Sequence, residues 1–89
     1  MAKRAKLEIM RDTLNIIQEH HNHIKWTVLL RKSKISSSRF KEFYGELVSK
    51  GLVATVIVQK DKQIILTDKG FRFLERYKAI VDFIKEFEL

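Results

Sequence analysis

The chain has 89 residues, no cysteine, 45% apolar residues and a formal charge of +7. That length holds one small core, the apolar fraction is too high for a disordered tail, and the missing thiols exclude disulfides, thiolate zinc sites and cysteine nucleophiles. The positive balance points to an acidic partner, whether DNA, RNA or an anionic membrane, and it is uneven: residues 1–50 carry 11 Lys and Arg against 5 Asp and Glu, whereas residues 51–89 carry 7 against 6.

The opening MAKRAKLEIM has the cations of a signal peptide but no apolar centre, and no apolar run approaches the ~18 residues of a membrane helix, so a soluble intracellular protein is expected. Residues 1–6 read as a basic arm carrying Lys3, Arg4 and Lys6. Leu7, Met10, Leu14 and Ile17 then fall three and four apart, with Ile9 and Ile16 widening the stripe, which predicts a first helix over residues 7–19. His20, His21, Asn22 and His23 break the pattern and read as a loop. Ile24, Lys25 and Trp26 suggest a short extended piece, and Thr27 suits the N-cap of a brief second helix through Val28, Leu29, Leu30 and Arg31.

Ser33 and Lys34 make a turn, Ile35 plugs into the core behind it, and Ser36 or Ser37 caps a third helix that Gly51 ends. Phe40, Phe43, Tyr44, Leu47 and Val48 line one side of that helix at helical spacing. The other side begins with Ser36, Ser37, Ser38, Arg39 and Lys41, hydroxyls and cations suited to phosphates and base edges. From Leu52 to Gln59 the composition turns β-branched and predicts a strand; Lys60, Asp61 and Lys62 form a charged tip, and Gln63 to Leu66 return as the second strand. The tip lacks Asn-Gly or Asp-Gly, so its turn type is left open.

Thr67 begins a last helix, with Asp68 in its first turn, running to about Glu88. Its apolar residues exceed what one helix face can hide in a domain this small. Tyr77, Ile80, Val81, Phe83, Ile84 and Phe87 are assigned to a dimer interface, because large apolar side chains worth ~1.5–3 kcal/mol each on burial would otherwise face water. The expected fold is therefore α+β and mainly helical: a winged helix-turn-helix of three helices and a two-stranded wing over residues 7–70, followed by a dimerisation helix over residues 68–89.

KLEIM at the start, the ISSS turn, ELVSKGLV at the end of the third helix and LTDKG between wing and last helix together resemble the archaeal winged-helix chromatin proteins of the 10a type. The resemblance covers roughly residues 4–80. LTDKG is shared widely among winged-helix regulators and supports the fold more than the particular family. The resemblance implies a homodimer joined through antiparallel carboxy-terminal helices, and archaeal plasmid or viral regulators share that architecture.

The expected function is binding of double-stranded DNA by a homodimer, as a transcriptional regulator or a nucleoid-associated chromatin protein in the cytoplasm. The third helix would enter the major groove with Ser36, Ser37, Ser38, Arg39 and Lys41, and Arg39 is the expected base reader because its planar fork matches two acceptors of guanine. Glu42 or Gly45 would approach the groove. Lys32 and Lys34 near the turn, Lys60 and Lys62 of the wing, and Lys3 and Arg4 of the arm are assigned to phosphates, with Lys25 and Arg31 beside them. The alternative is a winged-helix module that meets an acidic protein or RNA. His20, His21 and His23 are more simply solvated loop residues than metal ligands, and Trp26 is expected in the core. Neither a cofactor nor a small-molecule substrate is expected, and scattered carboxylates and serines without a paired base give no catalytic constellation.

Overall fold

The computed structural model describes the backbone of residues 2–89 and the side chains from Lys6 onward. Four helices, α1 (Ala2–Glu19), α2 (Trp26–Ser33), α3 (Ser37–Ser49) and α4 (Asp68–Glu86), frame an antiparallel hairpin of β1 (Val53–Val58) and β2 (Asp61–Leu66). α1 takes in residues 2–6, which the sequence assigned to an arm. Ala, Lys and Arg are all strong helix formers and nothing there breaks the turn. The side chains of Lys3 and Arg4 lie outside the described residues.

The core is built where the helical stripes meet the hairpin. Met10, Leu14 and Ile17 of α1, Leu29 of α2, and Phe40 and Leu47 of α3 are buried against Ile64 and Leu66 of β2. Ile24 does more than extend the chain: its N–H donates to the Ile64 carbonyl at 3.2 Å and its carbonyl accepts from the Ile64 N–H at 2.8 Å, adding a one-residue third rung to the sheet. Asn22 secures the same edge, its Oδ1 accepting from the Leu66 N–H at 2.7 Å. α2 starts at Trp26 with Lys25 at the N-cap, two residues before the expected cap Thr27 and without a side-chain cap bond. Packing of the Trp26 ring between Phe40 and Tyr44 overrides the capping preference.

α3 closes in a Schellman arrangement: the Gly51 N–H donates to the Val48 carbonyl at 3.0 Å and the Leu52 N–H to the Leu47 carbonyl at 2.9 Å. Gly51 has φ +73°, which favours a residue without Cβ. The hairpin turn contains only Gln59 and Lys60, with φ of 50° and 69°, and Val58 pairs with Asp61. Two left-handed central residues are the requirement of a type I′ turn. β2 thus begins two residues before the expected Gln63, and Asp61 and Lys62 belong to the strand.

The LTDKG segment locks the last helix onto this frame. Thr67 Oγ1 donates to the Gly51 carbonyl at 2.6 Å and accepts from the Gly70 N–H at 3.1 Å, capping α4 while tying it to the end of α3. The Leu52 carbonyl accepts from the Thr67 N–H at 3.1 Å and lies so close to Gly70 that any Cβ there would collide with it. From this anchor α4 runs outward, and the molecule measures 48 × 26 × 21 Å.

Candidate nucleic-acid interface

The turn between α2 and α3 determines how α3 is presented. Lys34 ends α2 in the left-handed region at φ 59° and ψ 28°, and Ser33 Oγ donates to the Leu30 carbonyl at 2.7 Å, so the chain reverses sharply after its last helical turn. Ile35 is half-buried against the core, as the sequence predicts of a plug residue. Ser36 is the N-cap of α3, its hydroxyl accepting from the Arg39 N–H at 3.4 Å. That hydroxyl therefore has a structural task, whereas those of Ser37 and Ser38 stand exposed at the amino end of the helix.

Four contacts fix the rotation of α3 about its axis. The Trp26 ring meets Phe40 and Tyr44 edge-on, each with centroids 4.8 Å apart. Tyr44 Oη lies 3.4 Å from Thr55 Oγ1 on β1, linking the helix to the wing. On the opposite flank Lys6 Nζ and Glu46 Oε2 form an ion pair at 2.7 Å. With Phe40 and Leu47 pointing inward, and ~100° of rotation per residue, Ser38, Glu42, Gly45 and Ser49 occupy the outward face, with Lys41 ~70° to one side of its centre and Arg39 ~90° to the other. Gly45 has no neighbour within 4 Å of where a Cβ would stand, which leaves that face low between Lys41 and Ser49.

The sequence placed Arg39 on the same face as Lys41. Both are exposed, but two residues of rotation set them ~160° apart around the axis. The Arg39 guanidinium lies 5.6 Å from the Phe43 ring centroid, on the flank away from the wing. Lys41 is on the wing side. Of the other assigned cations, Arg31 and Lys32 in the last turn of α2, Lys34 in the turn, Lys60 at the hairpin tip and Lys62 on β2 opposite Ile57 are all exposed. Lys25 and Asp61, the first residue of β2 after the hairpin turn, pair at 3.4 Å, and both are more than half exposed, so the pair adds little stability. It does offset the carboxylate between the two wing lysines.

Sequence reasoning missed the Tyr44–Thr55 link, the Lys25–Asp61 pair and the outward position of Ser49. A tyrosine within the apolar stripe of an otherwise buried face was the available signal for the first. The histidines are surface loop residues: His20 Nδ1 lies 3.1 Å from the His23 carbonyl and His23 Nδ1 lies 3.3 Å from the His21 carbonyl. Among the described residues no three His, Asp or Glu side chains gather as a metal site.

On α4, Ile80, Phe83 and Phe87 are 59%, 54% and 57% exposed, and Ile84 is also exposed. Tyr77 and Val81 are half-buried, the Tyr77 ring lying beneath the Arg11 guanidinium at 5.0 Å. No described helix is long and apolar enough to cross a membrane.

A family model described as winged helix-turn-helix matches residues 3–85. No curated protein matches the sequence. Among solved structures, the chain is similar to the PcaV transcriptional regulator from Streptomyces coelicolor, with 18% identity, a TM-score of 0.74 and coverage of 88% of this chain and 59% of that one. It is also similar to Sso10a-2, a DNA-binding protein from Sulfolobus solfataricus, with 17% identity, a TM-score of 0.71 and coverage of 92% of this chain and 83% of that one. AF1382 from Archaeoglobus fulgidus superposes with 23% identity, a TM-score of 0.68 and coverage of 92% and 89%. At such identities the likeness establishes a shared fold.

Proposed function

This chain belongs to the winged helix-turn-helix family, and on that premise we propose that it binds double-stranded DNA as a homodimer, with α3 in the major groove. The observation that carries the reading is the exposed surface of α3, where Ser38 and Gly45 face outward and Ser37, Arg39 and Lys41 stand exposed around them above a buried floor of Phe40 and Leu47. Hydroxyl and ammonium donors there reach base edges and phosphates, and the N–H groups of the first turn favour an anion at the same end. Lys32 and Lys34 before the helix, with Lys60 and Lys62 on the wing, extend the positive surface to both sides, as backbone contacts flanking a groove require. Arg39 stands on the flank away from the wing and Lys41 on the flank toward it, so the two cations bracket the outward face.

The role is binding rather than catalysis, exercised in the cytoplasm on nucleoid DNA. Few side chains on the outward face can hydrogen-bond a base in two places at once, which supports sequence-tolerant contact and a role closer to DNA organisation than to single-operator control. The names of similar structures, a transcriptional regulator and a DNA-binding protein, agree with both uses. The exposed stripe of α4 supports the dimer, since a second copy of the helix would remove Ile80, Phe83, Ile84 and Phe87 from water.

Titration against a random-sequence duplex at two salt concentrations tests the proposal. Each phosphate neutralised contributes about −0.9 to the slope of log K against log salt, so a site using about four cations per domain gives a slope steeper than about −3 per domain. Lys41→Ala combined with Arg39→Ala should weaken binding and flatten that slope. Duplex binding that is absent, or indifferent to salt and to both substitutions, would transfer the basic face to an acidic protein or to RNA.

A further inference from the structure

We propose that Ile57, on the wing, makes an apolar contact in the minor groove and gives the protein a preference for duplexes that lack the guanine 2-amino group. Ile57 takes this role on the reading that α3 enters the major groove, and it adds to that surface a specificity residue without charge.

A single exposed apolar side chain is ordinary on a protein surface, so what matters is where Ile57 stands. In the antiparallel register Val53 lies opposite Leu66, Thr55 opposite Ile64 and Ile57 opposite Lys62. Residues two apart on a strand share a face, as do direct cross-strand partners, so these six side chains line one side of the hairpin. Val53, Leu66 and Ile64 form its buried end, and Thr55 Oγ1 lies 3.4 Å from Tyr44 Oη of α3. Beyond that contact Ile57 is 72% exposed. It therefore continues the side of the wing that packs on α3, ~7 Å farther along the strand, where the core no longer covers it.

Charge is sorted between the two sides in the same way. Lys62 lies beside Ile57 on the α3 side, and Lys60 stands exposed at the tip. Asp61, the only carboxylate of the hairpin, lies opposite Val58 on the reverse side, where Lys25 Nζ meets it at 3.4 Å. The side toward α3 thus presents an isoleucine among cations with the carboxylate turned away, which complements a groove walled by phosphates. A helix ~10 Å across fills a major groove ~12 Å wide, so a hairpin leaving its flank crosses the phosphate wall. The ~13 Å of strand from Thr55 to the tip spans that wall, with Lys60 and Lys62 on phosphates and Ile57 at the adjoining minor groove.

In the minor groove A·T pairs show acceptors only, whereas G·C pairs add the 2-amino donor of guanine. That amino group projects from the groove floor into the space the side chain takes, and an isoleucine offers it no acceptor. Contact with a G·C pair is penalised on both counts.

The test compares binding of the full chain to two duplexes of one sequence, with inosine replacing guanine in the second. Inosine keeps the major-groove pattern of guanine and lacks the 2-amino group, so α3 meets the same edges in both. The wild type should bind the inosine duplex about 5-fold more tightly. Ile57→Thr keeps the β-branch and removes no buried contact. It should bind the inosine duplex about 10-fold more weakly than the wild type, lose the preference between duplexes, and leave the slope of log K against log salt unchanged. Val58→Thr, on the reverse side, should behave as the wild type, and circular dichroism verifies the fold of both variants. A wild-type chain that binds neither duplex would overturn the DNA reading and the role of Ile57 together. A wild-type chain that binds both duplexes equally, which needs no variant to establish, would overturn the role of Ile57 alone. So would an inosine preference that survives Ile57→Thr or is lost equally in Val58→Thr.

Discussion

Replacing Lys34 by glycine should move stability and DNA binding in opposite directions. Lys34 holds φ 59° at the end of α2, where a side chain with Cβ costs ~1–2 kcal/mol relative to the right-handed region and glycine costs almost nothing. The gain is reduced by the added freedom of glycine in the unfolded chain, ~0.4–1 kcal/mol, leaving a net stabilisation of about 1 kcal/mol. For a domain of 60–100 residues that corresponds to a rise in Tm of about 4–8 °C, readable by scanning calorimetry. The substitution also removes an exposed cation beside the amino end of α3. If Lys34 meets a phosphate, the slope of log K against log salt falls by about 0.9 per protomer, or about 1.8 per dimer. Lys34→Asn separates the two effects, because asparagine tolerates the left-handed region better than lysine yet lacks the charge. It should lose the same slope with a smaller gain in Tm. A fall in Tm on Lys34→Gly would refute the left-handed turn, and an unchanged slope would remove Lys34 from the DNA contact.

Gly70→Ala places a Cβ against the Leu52 carbonyl and should cost at least about 2 kcal/mol in urea denaturation; a neutral result would mean that α4 does not dock as closely as described. Gln59→Asn with Lys60→Gly supplies the residues that a two-residue I′ turn prefers and should raise stability by about 1 kcal/mol, whereas destabilisation would contradict the observed turn. Taken singly, Lys41→Ala should change protection of guanine N7 in the major groove on duplex DNA, while Arg39→Ala should lower affinity without altering that pattern. The reverse outcome would return Arg39 to the reading face.

The helical stripes, the β-branched run after Gly51 and the LTDKG joint made the architecture legible in the sequence, because each is a local pattern whose burial needs no knowledge of distant partners. The ends of elements were less legible. The start of α2 is set by Trp26 packing on Phe40 and Tyr44, and the hairpin tip by register, with Val58 opposite Asp61. Neither appears in local propensity, since Thr27 is the better cap and Gln59-Lys60 is a poor I′ pair on chemistry alone. The candidate site was legible as composition but not as geometry. Ser36 to Lys41 could be recognised as exposed hydroxyls and cations, and helical rotation alone separates Arg39 from Lys41, yet which of the two lies toward the wing depends on the angle at which Tyr44, Thr55, Lys6 and Glu46 hold the helix. The apolar excess of α4 was visible in the sequence.

The central claim, that the outward face of α3 is the surface that meets DNA, is tested most directly by following backbone amide resonances of the labelled protein as a short duplex is added. The account predicts that the largest shifts fall on Ser37 to Gly45, with a second set at Lys60 to Lys62 on the wing and little change along the outer stripe of α4. Shifts confined to α1 and α4, with Ser38 and Lys41 unmoved at saturation, would contradict it.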